Sequence, residues 1–286
     1  MRTSLLCFAL LSILAACGDS EPQSPAPQAN AHSHASGHHG AITSLGTIQV
    51  DGVGFAVARH GVCETGKEAA FVITCLSADS SPALTLWVED ANGRQINTGA
   101  KSEATGDDLH FHSTPKGEPA QLVIKGENGH TVRIDPHGAA GPIRDGIAAP
   151  LIDVRGKVAG WIELKLHDDK GDLELWLSAD GRMATPLDLP IDSTLSLSFK
   201  SHDNKLVQLR ARNTAQNEDE DGKSNNRDGQ TNYFIFPGDT GSDADWLMGQ
   251  TFRGVVAVAF TRNGEPLQTD LFRLTPHTHA AGGHQH

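Results

Sequence analysis

Apolar positions along most of this chain recur at every second residue. In "WIELKLH" Ile162, Leu164 and Leu166 fall on one side and Glu163, Lys165 and His167 on the other; in "TLSLSF" Leu195, Leu197 and Phe199 repeat the pattern. A period of two marks a strand with one face turned to a core, and no helical period here runs beyond two turns. The runs are punctuated by Asn92-Gly93, Asn128-Gly129, Asp180-Gly181 and Asn263-Gly264, dipeptides that supply the positive φ of tight hairpins. The prediction is an all-β protein.

Two segments run in parallel. "ALTLWVEDANGR" (83–94) lies beside "DLELWLSADGR" (172–182), with Trp87 matching Trp176, and "VRIDPHGAAG" (132–141) beside "FRLTPHTHAAGG" (272–283). The expected organisation is a tandem pair of antiparallel, Ig-like β-sandwich units at 41–136 and 147–276, joined by a linker at 137–146. Each unit is long enough for its own core.

The ends differ in kind from the middle. Arg2 precedes an apolar run from Leu5 to Ala16 that is too short to span a bilayer, the pattern of a signal peptide at 1–16. Its ending "LAAC", Leu14 to Cys17, resembles the lipobox of bacterial lipoproteins. That resemblance implies that Cys17 is the lipidated first residue of the mature chain, and Gly18 after it implies sorting to the outer membrane. Residues 17–40 are Pro, Ala, Ser, Gln, Gly and His, a tether with a typical reach of roughly 25 Å. The expected place is the bacterial cell envelope, with the membrane met through the lipid. Cys7 leaves with the signal, so Cys63 and Cys75 remain and, in an oxidising compartment, are expected to form a disulfide.

Charge narrows the chemistry. The net charge is −12, and half of that excess lies between residues 218 and 245, where eight carboxylates face Lys223 and Arg227. Such concentration points to a cation site. No basic patch with interleaved aromatics is present, which excludes nucleic acid as the expected partner. No G-x-S-x-G, H-E-x-x-H or phosphate-cradling loop is present either, so the chain is read as not an enzyme.

Within the acidic region, "NEDEDGKSNNRDG" places oxygen donors at Asn217, Asp219, Asp221, Asn225 and Asp228, with Gly222 at the sixth position and the Lys223 carbonyl at the seventh. The spacing resembles the D-x-[DN]-x-[DN]-G calcium loop of EF-hand proteins, in which alternate side chains converge on a hard cation. In that register Glu220 points outward. Asp228 replaces the usual Glu, Ser224 replaces an apolar anchor, and the flanks "LVQLRAR" and "TNYFIFPG" read as strands, so the resemblance covers the loop alone. Asp239, Asp243 and Asp245 are candidate further calcium ligands.

Eight of the fifteen histidines lie at the ends: His32, His34, His38 and His39 in the tether, His277, His279, His284 and His286 in a tail at 277–286. Imidazoles at this density are candidate ligands for Zn2+ or Cu2+. With the lipobox, "GHHG" ahead of the first strands and "PHG" at 136–138, the chain resembles uncharacterised His-rich envelope lipoproteins with β-sandwich domains, some of which accompany metal-efflux systems. Two functions follow as expectations. One is a lipid-anchored binding protein that buffers or passes on transition metal, with calcium stiffening the acidic loop. The other is an envelope interaction module that recognises a protein or polysaccharide, the His tails being incidental.

Overall fold

A computed structural model of the chain describes residues 41–76, 82–105, 108–138, 141–238 and 241–277. These residues are all-β apart from 3-10 geometry at Gly238 and in Asp245–Leu247, and no helix among them is long and apolar enough to cross a membrane. The N-terminal region of the fold comprises β1 (Ile42–Val50), β2 (Val53–His60), β3 (Ala69–Cys75), β4 (Thr85–Glu89), β5 (Ala100–Lys101), β6 (Glu103–Thr105), β7 (Asp108–Ser113), β8 (Gln121–Lys125) and β9 (Thr131–Ile134). The C-terminal region comprises β10 (Ile147–Asp153), β11 (Val158–Leu166), β12 (Leu173–Ser178), β13 (Leu189–Pro190), β14 (Thr194–Phe199), β15 (Lys205–Arg210), β16 (Gln230–Thr231), β17 (Tyr233–Phe236), β18 (Gly254–Arg262), β19 (Glu265–Thr269) and β20 (Phe272–Leu274).

In the N-terminal region the sheets β1-β2-β3-β7-β6 and β5-β4-β8-β9 share one core. Phe55, Val57, Phe71 and Phe111 come from one sheet and Leu86, Val88, Leu122 and Ile124 from the other. Their alternation is what one buried face per sheet requires.

The C-terminal region differs from the expected pair of stacked sheets. Its strands pair in the order β11-β12-β17-β15-β14-β18-β19-β10, and β10 pairs back with β11. The result is a ring of eight strands in which every pairing is antiparallel. Eight strands enclose a space that side chains just fill, and Leu164, Leu175, Leu197, Phe234 and Val258 belong to that filling. Closure is helped where the register of β10 on β11 shifts between Leu151 and Ile152. There Gly160 lets the strands crowd, since a Cβ on it would lie 3.0 Å from the Ser178 carbonyl. β1 lies parallel to the start of β10, pairing Ile42 with Ile147, while β19 takes the far end at Leu151 to Asp153.

The expected disulfide is absent: Cys63 and Cys75 are not bonded to each other. The register explains it. Antiparallel β2 and β3 pair His60 with Ala70 and Phe55 with Cys75, so Cys63 lies beyond one end of the ladder and Cys75 at the other. Five residues of strand separate those ends by roughly 17 Å, against a Cα spacing of about 4.4–6.8 Å for a disulfide. Cys63 is buried, and burial pushes its thiol up to about 11. The "PHG" segment is also structural here. The buried Arg59 guanidinium donates to the Pro136 carbonyl at 2.7 Å and to that of His137, while the His137 ring lies 2.8 Å from the Pro119 carbonyl.

Candidate metal centre

The ring has a polar outer face along β11, β12 and β17. Alternation sends Leu164, Leu166, Leu173, Leu175 and Phe234 into the core, and therefore Glu163, Lys165, His167, Glu174, Trp176 and Tyr233 outward. Outward here does not mean wet: Glu163 and Tyr233 are 0% exposed. The linker covers one end, where Glu163 accepts the backbone N–H groups of Ile143, Arg144 and Gly146 and the Arg144 guanidinium lies 4.9 Å from the centre of the Trp176 ring. Segment 211–232 covers the other end. Asn217 fixes it by donating to the Thr231 hydroxyl at 2.8 Å and the Tyr233 carbonyl at 2.9 Å, while its Oδ1 accepts the Arg212 N–H.

Beneath that segment three donors meet. His167 Nε2 is 3.0 Å from Glu174 Oε2 and 3.1 Å from Glu220 Oε1. Ligand atoms of the three residues all lie within 4.8 Å of one another, and among the described residues this is the group of three or more such side chains that gathers so closely. Lys165 Nζ stands 3.2 Å from Glu220 Oε2 and 4.0 Å from Glu174 Oε2. Tyr233 donates its hydroxyl to Glu174 Oε1. Burial first, and then the Glu174 charge, push that phenol far above its ordinary range, so it remains a donor and leaves Oε2 facing His167.

The local fold explains the convergence. His167 and Glu174 flank a short turn closed by His167 N–H to Asp172 O, at 2.9 Å, and Gly171 N–H to His167 O, at 3.1 Å. Gly171 adopts φ +70°, and a Cβ on it would fall 2.3 Å from the Ala244 carbonyl, so no larger residue fits. Donors about 3 Å apart suit an ion held at about 2.0–2.2 Å, since tetrahedral ligation at that radius spaces ligand atoms about 3.3 Å apart. Small outward shifts would admit it. His167 and Glu174 side chains are 6% and 5% exposed, whereas Glu220 is 48% exposed and leaves one side open to solvent.

The predicted calcium ligands are placed otherwise. Asn217 is buried against the ring. Asp219 Oδ1 accepts the Lys223 N–H at 2.9 Å and its Oδ2 the Asn225 side chain at 3.2 Å. The Lys223 carbonyl accepts from the Asp219 N–H and the Asn225 side chain. With Gly222 at φ +72° and Glu218 bridging to Ser224, the loop is a tight turn that uses its own oxygens. Asp221 and Asp228 are exposed. Glu220, predicted to point away from the loop, is the residue that reaches His167. Asp243 accepts the Asp245 N–H at 2.9 Å, just ahead of the 3-10 turn. His277 stands beside His167 in an isolated parallel bridge. Cys17, His32, His34, His38, His39, Asp239, His279, His284 and His286 lie outside the described residues.

His167 and Glu174 were not anticipated as a pair from the sequence. The signal was there: both occupy outward positions of adjoining strands, seven residues apart across a turn-forming Asp-Asp-Lys-Gly.

No protein-family model matches the chain, and no curated protein matches it. Among solved structures it is similar to the crystal structure of a tetra-tandem repeat in the extending region of a large adhesion protein, at 12% identity and a TM-score of 0.23. The match covers 83% of this chain and 49% of that one, so the chain spans about half the length of that structure.

Proposed function

We propose that this is a lipid-anchored cell-envelope protein that binds a divalent transition metal as cargo at His167, Glu174 and Glu220. The observation that carries the reading is the gathering of one imidazole and two carboxylates within 4.8 Å, two of them beside the β11–β12 turn and the third on the segment that covers it. Imidazole with carboxylate suits Zn2+ better than the all-oxygen shell calcium prefers. Two ligands are fixed by the ring and the third is half exposed, an arrangement that permits exchange. The His-rich ends would then deliver or receive ions near the anchor at Cys17. We take the scaffold as a two-sheet sandwich at 41–136 beside the ring, a reading supported by the core that β4 and β8 share with β2, β3 and β7.

The test uses the mature chain with His32, His34, His38, His39, His279, His284 and His286 changed to Asn and His277 kept, titrated calorimetrically with Zn2+, Cu2+ and Ca2+. One equivalent of Zn2+ or Cu2+ should bind and should be lost in His167→Gln and in Glu174→Gln. A tail-substituted chain that takes up neither ion overturns the reading; calcium binding that survives both substitutions would move the cation to the acidic loop.

A further inference from the structure

We propose that His277 is a fourth ligand of this centre and that it roots the C-terminal His-rich tail on the metal. The inference rests on the centre proposed above and adds a residue of a different element to it. Three observations converge. His277 forms an isolated parallel bridge with His167, and its N–H donates to the Leu166 carbonyl at 2.8 Å. Residues opposite each other on paired strands project on the same face, with Cβ atoms about 5 Å apart. The face is fixed independently by alternation: Phe272 and Leu274 fill the ring, Pro276 is buried, and His277 falls on the outward parity shared by His167.

The chemistry gains from the addition. One imidazole and two carboxylates leave a divalent ion short of a closed tetrahedral shell, and a second imidazole completes a two-nitrogen, two-oxygen set favoured by Zn2+ and Cu2+. The two carboxylates already match the charge of a divalent ion, so a neutral fourth ligand completes the shell without adding negative charge. His279 follows only two residues later and His284 and His286 close behind. Covalent continuity with His277 gives these imidazoles a raised effective concentration near a bound ion.

The experiment keeps the full mature chain and changes the seven other terminal histidines to Asn, retaining His277. Cu2+ is added at one equivalent, and the nitrogen hyperfine structure of its electron paramagnetic resonance spectrum counts the bound imidazoles. Two nitrogens are expected, falling to one in His277→Gln with an affinity loss of at least tenfold. His277→Cys, loaded with Co2+ under reducing conditions, should show a thiolate charge-transfer band that the parent lacks. Circular dichroism of each variant guards against misfolding. If His277→Gln keeps the parent spectrum and affinity and His277→Cys shows no such band, while His167→Gln loses the ion, His277 is no ligand and the three-residue centre stands. If His167→Gln also leaves the spectrum unchanged, the centre itself is refuted and the inference with it.

Discussion

Two carboxylates, Glu89 in the N-terminal region and Glu174 in the ring, occupy comparable places and meet different partners. Each lies two residues from a tryptophan on the face of its strand that points away from the core, Trp87 in β4 and Trp176 in β12. Glu89 is held by Arg133 at 3.1 Å and by the Trp87 indole N–H at 2.9 Å. Arginine cannot give up its proton and does not ligate, so that carboxylate is permanently neutralised. Glu174 faces His167, Lys165 and the Tyr233 hydroxyl instead. Histidine can exchange a proton for a metal ion. A buried acid on a sheet face is a strut when its partner is arginine, and, in the centre proposed above, a ligand when its partner is histidine with a second carboxylate in reach.

The largest effect expected is on metal binding. In the tail-substituted chain His167→Ala should weaken Zn2+ binding by at least about a hundredfold, because a directly bound ligand is lost. Arg133→Ala should leave the affinity unchanged. A comparable fall in both variants, measured by equilibrium dialysis, would erase the distinction between strut and ligand.

Next comes stability in the N-terminal region. Arg133→Ala strands Glu89, which is almost fully buried, and should cost about 1–2 kcal/mol in denaturant unfolding at neutral pH. The Arg133 hydrogen bond holds the Glu89 carboxyl below the usual range. A depressed folded pKa gives stability that is complete above the unfolded value and is lost as pH falls through the folded one. The gap between parent and variant should accordingly narrow on acidification. A gap that widens in acid would show that Arg133 stabilises by packing its stem rather than through the charge.

Thiols separate the two regions again, since both cysteines of the folded body lie in the N-terminal one. Protein purified without reductant should titrate two thiols under denaturant. Cys63 has its pKa raised from 9.0 to about 11 by burial, so the folded state favours the neutral thiol. Its contribution is therefore present below about pH 9 and lost as pH rises toward 11. Alkaline destabilisation that persists unchanged in Cys63→Ala would place the cause elsewhere.

The alternation that defines the strands was legible residue by residue: Leu195, Leu197 and Phe199 are all fully buried, as their spacing requires. Hairpin glycines behaved likewise at Gly93, Gly129 and Gly264, each with positive φ. At Asp180-Gly181 the dipeptide misled, for Asp180 caps the turn through the N–H groups of Arg182 and Ala184 and Met183 takes the positive φ. Closure of the ring was not legible, because a sheet that curls on itself and one that stacks on another bury one face alike. It depends on a register shift and on crowding at Gly160, neither of which alters the period of two. The proposed centre was half legible. His167 and Glu174 follow from outward parity across one turn, but Glu220 arrives from fifty-five residues beyond Lys165, through the burial of Asn217 and the turn at Gly222. Local spacing drew attention to Asp219 and Asn225 there, which hydrogen-bond to each other, and away from Glu220.

The smallest expected effect concerns that loop, and the N-terminal region supplies its control. Trypsin can reach Lys223, exposed at the tip of the turn, and Arg94, exposed in the turn that Asp90 caps. The Arg94 turn is closed by Asp90, which accepts the Arg94 N–H and pairs with its guanidinium, far in the chain from the proposed centre, so its cleavage rate should ignore added Zn2+. The Lys223 turn is tied to the ring at Asn217 and again through Glu220, whose half-exposed carboxylate meets Lys165 and His167 in contacts worth well under about 1 kcal/mol each. Metal that recruits Glu220 should tighten this second tie and slow cleavage at Lys223 by roughly threefold, the scale of a fraction of a kcal/mol in local opening. Glu220→Gln should abolish the protection while leaving cleavage at Arg94 as it was. Protection of Lys223 that survives in Glu220→Gln would mean that the ion is held by the loop's own carboxylates, Asp219, Asp221 and Asp228, and that the loop, not the strand pair, is the centre.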